Sequence, residues 1–128
     1  MSESTVNVRY MVGDVQESVD WYVGNFGFNV QLNAAPAFAS VERGPLRLLL
    51  SGKAASAGRP MPDGRQPEPG GWNRFQFLVD DIGAEVERLR GKGVKFRNDI
   101  VTGPGGSQIL AEDPSGNVVE VFQPAARG

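Results

Sequence analysis

The chain has 128 residues, a net charge of −2 and neither histidine nor cysteine. The length fits one domain with an ordinary core. The missing cysteines exclude disulfides, thiolate nucleophiles and thiolate metal sites, and the missing histidines remove the commonest proton carrier near neutral pH.

Charges of both signs are dispersed, so no basic patch is aimed at nucleic acid, and no apolar run approaches membrane-spanning length. Residues 1–5 carry neither a positive region nor an apolar stretch, so no signal peptide is expected. The protein reads as soluble and cytoplasmic.

Residues 6–12 are β-branched and aromatic and predict a strand. Asp14 then caps a helix, with Glu17 three residues on as its capping-box partner. Val15, Val19, Tyr22, Val23 and Phe26 recur at helical spacing as its buried stripe, and Gly24 and Gly27 loosen and stop it. Three strands follow at 28–32, 37–42 and 46–50, the last turn marked by Gly44-Pro45.

Residues 51–71 are rich in Gly, Pro, Ala and Ser. A connection this long is either a plain spacer or a functional flap. Met61 and Trp72, which follows Pro69-Gly70-Gly71, favour the flap slightly.

The pattern then starts again. Residues 74–79 predict a strand, Asp81 caps a helix burying Ile82, Val86 and Leu89, and Gly91 and Gly93 end it. Strands follow at 94–98, 108–112 and 118–122, with Asp113-Pro114-Ser115-Gly116 as a strong turn signal. When Asp14 is placed on Asp81, Val19 falls on Val86 and Tyr22 on Leu89. The order is βαβββ twice, an α+β fold of two modules forming a cupped mixed sheet with helices outside. Neither copy can bury its own apolar face, so a single domain over 1–128 is expected. Its module one is about 5–50, its linker 51–71 and its module two about 72–124.

Two motifs now matter together. Val12-Gly13-Asp14-Val15, Ser18-Val19-Asp20-Trp21-Tyr22 and Phe26-Gly27-Phe28 open the first copy. Asp113-Pro114-Ser115-Gly116-Asn117-Val118-Val119-Glu120-Val121 closes the second. In this duplicated frame they resemble the vicinal oxygen chelate superfamily over about residues 5–124. That superfamily includes glyoxalase I, extradiol dioxygenases, fosfomycin resistance enzymes and bleomycin resistance proteins. The resemblance implies, for metal-dependent members, ligands on the first and last strands of each copy. The matching positions here are Asn7, Leu48, Arg74 and Glu120, of which only Glu120 is a good ligand. A guanidinium repels a divalent ion and leucine offers no donor atom. No metal and no cofactor are therefore expected.

Strand alternation assigns faces. If Asn7 faces the concave side of the cup, so does Arg9, while Val8, Tyr10 and Val12 face the helices. Arg74 and Gln76 then face the concavity in copy two. Leu48 and Leu50, with Glu120 and Phe122, are assigned to the same side on the last strands. Asn7, Arg9 and Gln76 otherwise face water, as polar strand residues commonly do. Arg74 and Glu120 are expected to form an ion pair where other members hold metal. Trp72 is either a core anchor or a stacking plate for a flat ligand. Phe38 has no assigned facing, and Trp21 is placed at the surface or in a dimer contact.

No catalytic constellation is visible. A general acid or base would have to be Glu120, Glu42, Asp99 or Tyr10. The reading is a metal-independent binder that sequesters a hydrophobic, flat aromatic molecule such as an antibiotic, by analogy with bleomycin resistance proteins. Its expected ligand-binding residues are Asn7, Arg9, Phe38, Leu48, Leu50, Met61, Trp72, Arg74, Gln76, Glu120 and Phe122. A homodimer is implied by the same resemblance. The alternative is a glyoxalase-like lyase, isomerase or dioxygenase.

Overall fold

A computed structural model of the protein describes residues 5–126. The chain divides between Gly70 and Gly71 into two compact units. The first unit contains β1 (Val6–Met11), α1 (Val15–Phe26), β2 (Asn29–Ala34), β3 (Phe38–Arg43) and β4 (Leu46–Ser51). Its sheet has the order β1-β4-β3-β2, with β1 parallel to β4 and the other pairs antiparallel.

Helix α1 starts where the sequence places it. The Asp14 carboxylate accepts the Glu17 backbone N–H at 2.9 Å, satisfying a donor that the first turn leaves open. The helix ends at Gly27, whose left-handed φ of 68° suits glycine best. Val15, Val19, Tyr22 and Phe26 are buried, and the helix packs on β3 and β4. Val23, expected in this stripe, is exposed. Ser18 is buried in the helix, its hydroxyl donating to the Asp14 carbonyl at 2.8 Å.

The second unit contains β5 (Gln76–Leu78), α2 (Ile82–Gly91), β6 (Lys95–Phe96), β7 (Val101–Gly103), β8 (Gly106–Glu112) and β9 (Val118–Pro124). Its order is β5-β9-β8-β6, with β7 paired to β8. Asp81 caps α2 through the Ala84 N–H at 3.0 Å, and Gln123 on β9 accepts the Ile82 N–H at 2.9 Å. Ile82, Val86 and Leu89 are buried as expected.

Two differences from the expected strands have local causes. The strand predicted over 74–79 is regular only over Gln76–Leu78, although single bonds from Glu120 N–H to Phe75 and from Val79 N–H to Phe122 extend the pairing. The extra strand β7 is three exposed residues ending at Gly103, too short and too polar to register as a strand pattern.

The Asp113 turn is built around its own carboxylate. Oδ1 accepts the Ser115 and Asn117 N–H groups at 2.9 Å each, Oδ2 accepts the Asn117 amide at 3.1 Å, and the Asp113 carbonyl accepts the Gly116 N–H at 3.0 Å. Asp113 and Asn117 are buried, and the turn delivers β9 into its sheet in a fixed register. The segment after β4 is also ordered. The Gly52 N–H donates to the Ala37 carbonyl at 2.9 Å, and a single 3-10 turn follows at Ser56–Gly58. A side chain at Gly58 would place its Cβ 2.6 Å from the Gly52 oxygen, so only glycine fits there. Among the described residues no helix is long and apolar enough to cross a membrane.

Candidate functional site

Register fixes which side chains share a face, because directly paired residues in neighbouring strands point the same way. In the first unit Leu48 pairs with Val8 and Val41, and Leu50 pairs with Tyr10 and Ala39. Leu48, Leu50, Val41 and Ala39 are all 0% exposed. These side chains form the core under α1.

The expected placement of Leu48 and Leu50 on the ligand face is therefore corrected: both belong to the helix side. The opposite face carries Asn7, Arg47 and Glu42 in one row, Arg9, Leu49 and Ser40 in the next, and Met11, Ser51 and Phe38 in the third. Asn7 and Arg9 are exposed, Phe38 is half-buried, and Phe38 now has a definite side. The position matching Glu120 in this module is Leu49, paired with Arg9 as Glu120 is paired with Gln76.

The polar groups of this first face are loosely joined. Arg9 donates to the Ser51 hydroxyl at 2.8 Å, the Ser40 hydroxyl pairs with the Gln31 amide oxygen, and Arg47 lies 3.5 Å from Glu42. Met61 is exposed, in a tight turn closed by the Met61 N–H on the Arg65 carbonyl and the Gly64 N–H on the Met61 carbonyl. Further along, residues 66–69 line a cavity of about 640 Å³ with Met11, Val12, Gly13 and Lys53, at the C-terminal ends of β1 and β4.

The second unit gathers more of the expected residues. Gln76 pairs with Glu120, which pairs with Leu110; Leu78 pairs with Phe122, which pairs with Gln108. All six lie on one face, opposite the core set of Phe77, Val121, Ile109, Val119 and Ala111.

Glu120 is only 6% exposed, yet its charge is met on both oxygens. Arg74 Nε donates to Oε1 at 2.9 Å and Gln76 Nε2 to Oε2 at 2.7 Å. Arg74 also donates to the Trp72 carbonyl at 3.1 Å. The expected ion pair thus forms, and Gln76 completes it. Burial of a carboxylate demands this kind of pairing.

Trp72 is 67% exposed and is not a core anchor. Its indole stacks on the Arg97 guanidinium, whose central carbon lies 4.5 Å from the ring centroid. Sequence reasoning passed over Arg97, Leu78, Glu112 and Leu49. Leu78, on the Glu120 face, is 65% exposed, large and apolar. A lone arginine just after a short strand carries no signal that it supports a tryptophan 25 positions away.

These donor sets do not fit a divalent ion. In the second unit Arg74 is cationic and both Glu120 oxygens are engaged; in the first, Leu49, at the position matching Glu120, offers no donor atom. Among the described residues no group of three His, Cys, Asp or Glu side chains is placed to hold one.

Two βαβββ modules, each with one helix on a mixed sheet, define a duplicated α+β fold. The chain belongs to the Glyoxalase/Bleomycin resistance protein/Dioxygenase superfamily, whose family model matches residues 5–121. No curated protein matches it. Among solved structures it is similar to a lactoylglutathione lyase from Agrobacterium tumefaciens, with TM-score 0.74 and 21% identity over 95% of this chain and 94% of that one. It is similar also to TnmS3, an antibiotic-binding protein from Streptomyces sp. CB03234, with TM-score 0.70 and 25% identity over 98% of both chains. TioX from Micromonospora sp. ML1 matches with TM-score 0.71 and 22% identity over 96% of this chain and 100% of that one.

Proposed function

We propose that this protein binds and sequesters a hydrophobic, flat aromatic small molecule, such as an antibiotic, without a metal ion and without turning it over. The observation that carries this reading is the state of Glu120. In an enzyme of this superfamily that position serves the metal; here Arg74 and Gln76 occupy both oxygens. A few polar groups beside Trp72, Leu78 and Phe122 form the mixed texture of a small-molecule site. The likeness to TnmS3, named as an antibiotic-binding protein, supports the ligand class. In this reading residues 51–71 act as a flap, the two modules work as one domain, and the protein is a homodimer. Exposed Val101 on the second sheet supports the dimer, since a paired copy would cover it. Light scattering is expected to give twice the chain mass.

The rival reading is a glyoxalase-like enzyme. Calorimetry against a panel of flat aromatic natural products, followed by mass spectrometry of the recovered ligand, separates the two. The binder returns its ligand unchanged with about one site per chain. Elemental analysis after dialysis is expected to find no stoichiometric Zn, Ni, Mn or Fe. One retained ion per chain, or a ligand recovered in altered form, would overturn the proposal.

A further inference from the structure

Trp72 is the largest exposed apolar side chain of the described residues, and exposure of that size calls for a reason. The residue is not loose. Arg97 is held in the plane of its guanidinium on three sides. Nε donates to Glu112 Oε2 at 2.8 Å, one terminal nitrogen to the Gly71 carbonyl at 2.9 Å, and the other to the Gly116 carbonyl at 2.9 Å. With its edge committed, the group has its flat face left to offer, and the Trp72 ring lies on that face at 4.5 Å. The Gly71 carbonyl that Arg97 grips is the residue before Trp72, and Gly71 has φ 90°, where a side chain is strained. Backbone and ring are therefore fixed by the same guanidinium. One face of the indole is covered, and the exposure of the residue comes from the other.

We infer that Arg97 is a positioning residue that presents Trp72 as a rigid, half-covered stacking plate for a flat, neutral or anionic aromatic ligand. The inference rests on the proposed small-molecule binding and narrows its ligand class. A plate fixed in advance spends less conformational entropy on binding than a free tryptophan. The charge preference follows from the stack. A cation on one face draws the π density of the ring towards itself, and a cationic ligand on the other face would compete for that same density. A neutral or anionic ring system meets no such competition and stacks by area and dispersion.

The test uses the full chain with Trp21→Phe, which leaves Trp72 as the only indole. The probes are 1-pyrenesulfonate, flat and anionic, and proflavine, flat and cationic. Affinity is read by calorimetry and stacking by quenching of Trp72 emission. The expected result is quenching and binding by pyrenesulfonate, with proflavine weaker by about fivefold or more. Arg97→Lys retains the charge but not the planar grip, and is expected to weaken pyrenesulfonate about five- to twentyfold. Trp72→Phe retains most of the affinity and Trp72→Ala loses as much as Arg97→Lys. Adding Arg97→Lys to Trp72→Ala then costs nothing more.

Thermal melts confirm that each variant is folded, and the Trp72 variants leave the Arg97 hydrogen bonds in place should Arg97→Lys melt early. Affinity unchanged in both Trp72→Ala and Arg97→Lys overturns the plate while leaving small-molecule binding intact. Proflavine binding as tightly as pyrenesulfonate overturns the charge preference. No binding of either probe by the parent chain overturns both this inference and the functional reading beneath it.

Discussion

The two modules share a plan but not a chemistry. On the helix-free face of the second sheet, Glu120 is locked between Arg74 and Gln76 by bonds of 2.9 and 2.7 Å. On the corresponding face of the first, Leu49 occupies the matching position, and its nearest charged pair, Arg47 and Glu42, is 3.5 Å apart. The parallel pairing of the first strand with the last, the capped helix and the glycine stop recur in both. The difference shows that the scaffold constrains which positions face outward, and leaves their residue types free to diverge between copies. One face has become a tight polar clamp, the other an open mixture of Arg9, Leu49 and Phe38.

The largest test asks whether the faces of the first module are correctly separated. Leu48→Ala removes a side chain with no solvent exposure and is expected to cost about 3–5 kcal/mol in urea denaturation. Leu49→Ala, one position away on the other face, should cost less than about 1.5 kcal/mol, since it leaves no closed cavity. Equal losses would mean that the register of β4 is wrong.

The second test addresses the clamp. Glu120→Gln or Arg74→Met alone leaves a partly buried charge without its partner and is expected to cost about 1–3 kcal/mol. Arg74 is partly exposed, which holds the figure below that of a fully buried pair. The double variant should cost less than the sum of the singles, with a coupling of about 0.5–2 kcal/mol. No equivalent coupling is expected between Glu42 and Arg47 in the first module. Additive singles at Glu120 and Arg74 would remove the contrast on which the comparison depends.

The smallest test concerns what the modules hold in common. Asp14→Ala and Asp81→Ala each delete a helix cap and should each cost about 1 kcal/mol, alike in the two copies. A large inequality between them would show that the repeated plan is less equivalent than the hydrogen bonds imply.

The sequence carried the plan because its signals were local. Asp14 and Asp81, the helical stripes and the Asp113 turn each announce themselves within a few residues, and two copies in the same order reinforce one another. The Arg74–Glu120 pair was also readable, since both positions fall on one face by strand alternation and carry opposite charge.

The facing of β4 was not readable. In Leu46-Arg47-Leu48-Leu49-Leu50 leucines fall on both faces and Arg47 alone breaks the run, so a period of two selects weakly, and pairing with Val8 and Tyr10 decides. Val23 falls within the apolar stripe by spacing, but at the edge where the helix turns to solvent. The Arg97 contact joins residues far apart in the chain through backbone carbonyls, which carry no sequence signature at all.

Gly58 carries a consequence for anyone who handles this chain. Its close approach to Gly52 and Lys53, together with the Gly52 hydrogen bond to Ala37, stitches the first part of the connection to the first sheet. Residues 59–66 beyond it are exposed throughout, with the Asp63-Gly64 turn at their tip. Limited proteolysis is expected to cut between 59 and 66 and to spare 52–58. A peptide tag spliced after Asp63 should leave the melting temperature nearly unchanged, whereas the same tag after Ala55 should lower it sharply. The connection is thus two materials in series, a seam and a free run, and only the free run is open to grafting.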